Sequence, residues 1–250
     1  MFLLSTSSLS WYGLHRIFQL AKQGEFEGID LSVDFNAFDT YDATYIDSLI
    51  QEISLPVISI TAPERKLGKK QCDQLLALAD DLGVKILNLH PPHRLDRERD
   101  WFGEYLQTVA KKYPNIVINI INAPPKTWLF IISEYGDARP ETIKKITAHT
   151  ALSIENVDPQ SGVDLMKTFI LLGSTMWFVY LSDKNDEQSG LFPGEGTMPL
   201  ESLLIKMQDI GYTGHFTLTI SPEALMAGEV EETVIKRMNQ ARTFLSKYFS

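Results

Sequence analysis

The 250-residue sequence contains one cysteine, Cys72. No internal disulfide can form and no cysteine-based zinc cluster can be built, which points to a reducing compartment. Cys72 falls in the helical pattern KKQCDQLLALADDLG and reads as a buried, unreactive thiol. Long hydrophobic runs are missing too. No stretch approaches the roughly 18 apolar residues of a membrane span. The opening MFLLSTSSLSW has neither the basic n-region nor the long apolar run of a signal peptide. The expected location is cytoplasmic, with no membrane partner. Positive charge is scarce: 23 Lys and Arg against 32 Asp and Glu give a net charge of −9. Such a surface has no general attraction for phosphate backbones, so a nucleic-acid partner is not expected. A glycine-rich phosphate loop after the first strand is also absent. Ser5, Thr6, Ser7 and Ser8 stand there instead, which weakens a dinucleotide-binding open sheet.

What the sequence does have is alternation. Eight short apolar runs, over residues 2–7, 28–33, 56–62, 85–90, 116–122, 151–156, 177–182 and 215–221, alternate with longer helical patterns. Most runs read as near-continuous Val, Ile and Leu, the pattern of parallel strands covered on both faces. In WYGLHRIFQLAKQG, Leu14, Ile17, Phe18 and Ala21 share one helical face that ends at Gly24; Ile46, Leu49 and Ile50 do the same in TYIDSLIQEI. PLESLLIKMQDIG opens on Pro199 and closes on Gly211, the expected asymmetry of helix ends. A last helix over 230–249 is placed to close the ring. Eight strand–helix units in a chain of about 250 residues favour a single (β/α)8 TIM barrel over residues 1–250, rather than an open doubly wound sheet.

In such a barrel the active site lies at the C-terminal ends of the strands. Those ends carry Thr61, His90, Asn122, Glu155, Asn156, Asp158, Tyr180, Asp183 and Thr219, a polar ring suited to a small hydroxylated ligand. The set is poor in the convergent carboxylates and imidazoles a hard divalent cation needs; His90, Glu155, Asp158 and Asp183 are all it can offer. Trp128 is a candidate for stacking on a sugar ring, whereas Trp177, inside a strand, reads as core. Phe192 and Glu195 in the FPGEG turn are placed to edge the mouth. Arg65, Lys66, Lys69, Lys70, His93, Arg94, Arg97 and Arg99 form either a phosphate-binding rim or a solvated surface, the second being favoured. His149 and His215 precede strands and read as structural; His15 reads as a surface residue.

The strand ends resemble those of the xylose-isomerase-like barrels, the superfamily of sugar-phosphate isomerases and epimerases, inosose dehydratases and AP endonucleases. FEGIDLSV resembles the second strand, VISITAP and LGVKILNLHPP the third and fourth, and the run from GVDLMKTF through FPGEGTMPLESLLIKMQDIGYTGHFTLTISPE the closing third. The resemblance implies a divalent metal held by a Glu from strand five, an Asp from strand six, a His near strand seven and a Glu from strand eight, with the two glutamates moving a proton beside a carbonyl. This sequence departs at each position. Ile121 stands at the strand-five Glu, Glu155 at the strand-six Asp, Tyr180 at the strand-seven His and Thr219 at the strand-eight Glu. Asp158, Thr61 and Gly190 stand where His is common, while Asp183 is kept. An aliphatic side chain cannot bind a cation, and a threonine hydroxyl is a poor base at neutral pH.

The expectation is a barrel that binds a small sugar, polyol or phosphate ester through His90, Asn122, Asn156, Asp158, Tyr180, Thr219, Trp128 and Glu195, with a degraded metal site and no cofactor. The alternative is an active sugar isomerase or epimerase with a rearranged acidic site in which Glu155 and Asp183 are catalytic and one divalent metal such as Mn or Mg is bound. An AP-endonuclease activity is disfavoured by the acidic charge. The sequence names no interface, and a homo-oligomer is left open.

Overall fold

The computed structural model describes residues 1–94, 102–124, 127–128, 132–135, 140–157 and 164–249. Eight parallel strands close into a barrel: β1 (Phe2–Ser5), β2 (Gly28–Ser32), β3 (Val57–Thr61), β4 (Ile86–Leu89), β5 (Val117–Ile121), β6 (Thr150–Ser153), β7 (Met176–Leu181) and β8 (His215–Leu218). Each pairs with its neighbours in sequence, and β1 pairs with β8 to complete the ring. The eight predicted runs are these strands: six are trimmed at their ends, and β6 and β7 begin one residue earlier than their runs and end sooner.

Eight helices follow the strands: α1 (Leu14–Gln23), α2 (Ala43–Ile53), α3 (Lys69–Asp81), α4 (Phe102–Lys112), α5 (Pro140–Ile146), α6 (Leu165–Leu172), α7 (Leu200–Asp209) and α8 (Glu231–Ser246). The predicted α1 stripe of Leu14, Ile17, Phe18 and Ala21 is buried. Pro199 precedes α7, and Gly211 lies beyond it with φ of 67°, a backbone region other residues enter only with strain. Asp42 caps α2 by accepting from the Thr44 and Tyr45 amides, and Asp164 caps α6 through the Lys167 amide. α8 is tied to α1 by the Arg16–Glu231 ion pair, and Arg242 binds Glu25 just past the end of α1. No helix among the described residues is long and apolar enough to cross a membrane.

Period-two alternation sorts the strand residues. Ile29, Leu31, Ile60, Leu87, Leu89, Ile120, Leu152, Val179 and Leu181 join the helices in the main core between the two layers. Leu3, Ile121, Ala151, Phe178 and Tyr180 form a second cluster inside the ring. Cys72 is buried, and burial pushes its thiol up to about 12, as expected of an inert side chain. Trp177 departs from its expectation as core. It is 49% exposed, with its ring against His149 at 5.5 Å. It occupies an outward register near the start of β7, whereas the next residue, Phe178, turns into the ring.

Candidate functional site

The inward positions of β2, β3 and β4 carry polar residues. The register places Ser5 beside Asp30, Asp30 beside Ser59, Thr61 beside Asn88, and Asn88 beside Asn119. All six are buried. Across the ring, Tyr180 lies between Ser153 and Thr217. Asp30, Ser59, Thr61, Tyr180, Asn88 and Asn119 form one hydrogen-bonded chain. The Ser59 and Thr61 hydroxyls lie 2.6 and 2.8 Å from Oδ1 of Asp30. The Tyr180 hydroxyl lies 2.6 Å from the Thr61 oxygen. Asn88 approaches the Thr61 oxygen at 3.5 Å and accepts from Asn119 at 2.8 Å.

The electrostatics follow from burial. Asp30 has no exposed surface, and desolvation pushes its carboxyl up to about 6 against the opposing pull of the Ser59, Thr61 and Ser5 hydroxyls. Tyr180 is raised well above the usual phenol value, by burial first and by the charge of Asp30 second. It therefore stays protonated. His90, just past β4, is held down to about 4 by burial, with Glu64 opposing weakly, so its imidazole is neutral at pH 7. Its Nδ1, Oγ of Ser182, Oγ1 of Thr217 and Thr219, Oδ1 of Asn119 and Oδ2 of Asp30 are buried without a hydrogen-bond partner among the described residues. Groups so placed are suited to a hydroxylated ligand.

The other expected site residues fall into two groups. Asn122 clamps β5 to β6: its amide donates to the Ser153 carbonyl at 3.0 Å and accepts from the Ser153 amide at 2.6 Å. Asn156 donates to the Asn122 carbonyl at 2.8 Å, so these two are brought together. The Glu155 carbonyl accepts from Lys184 at 3.1 Å. Asp183 is buried, and its carboxylate accepts from the amides of Lys184, Gly194 and Met198 at 2.8, 3.0 and 3.1 Å. It pins the PGEGT turn to the end of β7. Gly196 allows this approach, because a Cβ there would stand 2.3 Å from Oδ1 of Asp183. Glu195 pairs with Arg237 on α8, whose guanidinium stacks on the buried Phe192 ring at 3.7 Å. Glu195 thus engages the outer helix layer. Of the basic residues, Arg65 pairs with Glu134 at 3.0 Å. Asp158, Arg97, Arg99 and the side chain of Trp128 lie outside the described residues.

The metal expected from the resemblance finds no donor set. Among the described residues no three His, Cys, Asp or Glu side chains converge to hold an ion. Ile121, at the strand-five position, packs with Leu3, Ala151, Phe178 and Tyr180 inside the ring, and is 1% exposed. Thr219, at the strand-eight position, supplies only a hydroxyl. Among the described residues, no set of side chains fits a divalent metal.

Asp30, Ser59, Asn88 and Asn119 are site residues that attention to strand ends alone passes over. The signal was available: GIDLS, ISI, LNL and INI each hold one polar residue between two aliphatic ones, at the register that turns inward.

No family model matches the chain, and no curated protein matches it in sequence. Many solved structures match its fold. The IOLI protein with a binding zinc atom superposes with a TM-score of 0.71 at 13% identity, covering 100% of this chain and 99% of that one. An L-ribulose 3-epimerase does so at 0.69 and 15% identity, over 98% of this chain and 93% of its own. A xylose isomerase domain protein from Alicyclobacillus acidocaldarius subsp. acidocaldarius gives 0.67 at 14% identity, over 99% and 98%. At such identities the likeness speaks for the fold alone. The chain has the fold of the xylose-isomerase-like (β/α)8 barrels.

Proposed function

We propose that this chain is a sugar- or polyol-binding barrel that does not perform the metal-dependent proton transfer implied by its resemblance. The observation that carries the reading is the burial of Ile121 in the apolar cluster inside the ring. A hydrocarbon at that strand end can neither ligate a cation nor move a proton, and Thr219 supplies no carboxylate from β8. The rearranged acidic site is the weaker reading, because the three backbone amides on Asp183 already engage the carboxylate it would use. The ligand class rests on the polar chain from Asp30 to Tyr180 and on the sugar epimerases among the similar structures. His90, Asn156, Tyr180 and Thr219 are the residues we assign to binding. A cytoplasmic location is in keeping with the single buried thiol of Cys72.

The test is metal analysis of the purified protein together with ligand binding in the presence of EDTA. The expected result is less than stoichiometric Mn, Mg, Co or Zn, with pentose or pentitol binding unchanged by the chelator. Stoichiometric metal, or binding that EDTA abolishes, overturns the reading.

A further inference from the structure

The buried chain has a direction, and the direction follows from proton counting. A carboxylate only accepts hydrogen bonds. The Ser59 and Thr61 hydroxyls, at 2.6 and 2.8 Å from Oδ1 of Asp30, must therefore both donate to it. Thr61 has a single hydroxyl proton, and it is taken. Its oxygen, 2.6 Å from the Tyr180 hydroxyl, can then only accept, so Tyr180 is the donor of that bond. Asn88, 3.5 Å away, also points an N–H at the same threonine oxygen. The phenol of Tyr180 has no second proton. What its oxygen can offer to a group above it is a lone pair.

The chain runs from the closed interior to the edge of solvent. Asp30 has 0% of its surface exposed, whereas Tyr180 keeps 5% and Thr61 8%. Nδ1 of His90, Oγ of Ser182 and Oγ1 of Thr219 are further buried polar atoms with no partner among the described residues, and the two hydroxyls there can donate or accept, so the acceptor-only polarity is that of Tyr180. The burial that holds His90 neutral keeps that imidazole from presenting a positive charge.

We infer that the floor of the mouth selects hydrogen-bond donors: Tyr180 contacts the ligand as an acceptor, Asp30 is the positioning residue that fixes this polarity through Thr61, and neutral polyol hydroxyls are taken there in preference to carboxylate or phosphate groups. The inference rests on the sugar- and polyol-binding reading above and sharpens it by excluding the anionic end of a sugar acid or phosphate ester from this position. An anion would meet the phenol lone pairs with no proton between them, and the charge of Asp30 behind them. A hydroxyl brings its own proton and closes the chain.

The test uses xylitol and D-xylonate, which differ in one terminal group, hydroxyl against carboxylate, with the whole chain and calorimetric titration at pH 7.5. Leaving a buried group without its partner is expected to make the wild type favour xylitol by about tenfold or more. Thr61→Ser keeps the hydroxyl and is expected to keep that preference. Thr61→Val frees the Tyr180 proton to point upward and is expected to bring the two affinities together by raising that for xylonate. A structural role for Thr61 alone would weaken both ligands in parallel. Tyr180→Phe removes the acceptor while keeping the ring, and is expected to weaken xylitol and leave xylonate unchanged; it serves as the second probe where Thr61→Val does not fold. A wild type that binds both equally, or prefers xylonate, overturns the inference and leaves the binding reading standing. So does an unchanged preference in folded Thr61→Val or Tyr180→Phe. Binding of neither probe by the wild type overturns both readings together.

Discussion

On β2, β3, β4 and β7 the inside of the ring presents Asp30, Ser59, Thr61, Asn88 and Tyr180, joined by hydrogen bonds. On β1, β5 and β6 it presents Leu3, Ile121 and Ala151, packed around Phe178. The inside of the ring is thus polar on one side and apolar on the other, and β5 and β7 belong to both, with Asn119 and Tyr180 on the polar chain and Ile121, Phe178 and Tyr180 in the apolar cluster. The difference teaches where chemistry is affordable. A buried polar group is tolerated where each neighbour answers it, and the β2–β4 side supplies those answers strand by strand. The apolar cluster around Ile121 supplies none, and it is there that the resemblance would place a proton-moving carboxylate.

Putting a carboxylate into the apolar side tests that contrast most severely. Ile121→Glu is expected to cost about 3–5 kcal/mol in urea denaturation at pH 7.5, because no partner meets the charge. A variant of wild-type stability that binds Mn or Mg would erase the contrast between the two sides.

The next test works on the polar side through pH. Native Asp30 keeps its proton up to about 6, whereas an unfolded aspartate releases it near 3.8. Folding therefore binds a proton in that window, and the contribution of Asp30 to stability falls as pH rises through it. His90 acts oppositely: the unfolded imidazole takes a proton below 6.5 and the native one only near 4, so its contribution rises with pH over that range. The two slopes largely cancel between pH 4 and 6. Asp30→Asn is expected to leave the rising slope of His90, and to gain as much as about 3 kcal/mol at pH 7.5, at 1.36 kcal/mol per pKa unit. His90→Gln is expected to leave the falling slope. Denaturant midpoints measured from pH 4 to 8 decide it; two variants that keep the wild-type profile would show that the interior carries neither titration.

A smaller effect is expected at the rim. Asp183→Asn cannot accept from all three amides, and one is left facing an N–H donor. The expected loss is about 1–3 kcal/mol, with faster hydrogen exchange at Gly194 and Met198. Unchanged exchange with lost ligand binding would move Asp183 from the turn to the ligand. The smallest effect belongs to the exposed Glu195–Arg237 pair, where Glu195→Gln is expected to change stability by about 0.5 kcal/mol, with binding intact. Loss of binding there would return Glu195 to the mouth.

Much of this architecture is legible in the chain. Continuous aliphatic runs such as VISIT and MWFVYL mark strands covered by helices, and the stripe of Leu14, Ile17, Phe18 and Ala21 marks the covering face. The lack of Asp and Glu in the fifth and eighth strands is read directly from their sequences. Trp177 reads as core from its place in a strand, but its outward position near the start of β7 is left half-exposed. Glu195 and Asp183 lie in the same connection between β7 and α7, yet one faces α8 and the other the turn amides. Spacing cannot separate them, because their partners come from other elements.

Local periodicity and helix-end chemistry act over a few residues, so the ring, its eight units and the side-chain type at each strand end are written along the chain. The joining of Asp30, Thr61 and Tyr180 is not, because it depends on closure. Tyr180 lies 119 residues from Thr61, and a hydrogen bond exists only when closure of the barrel brings the two oxygens to 2.6 Å.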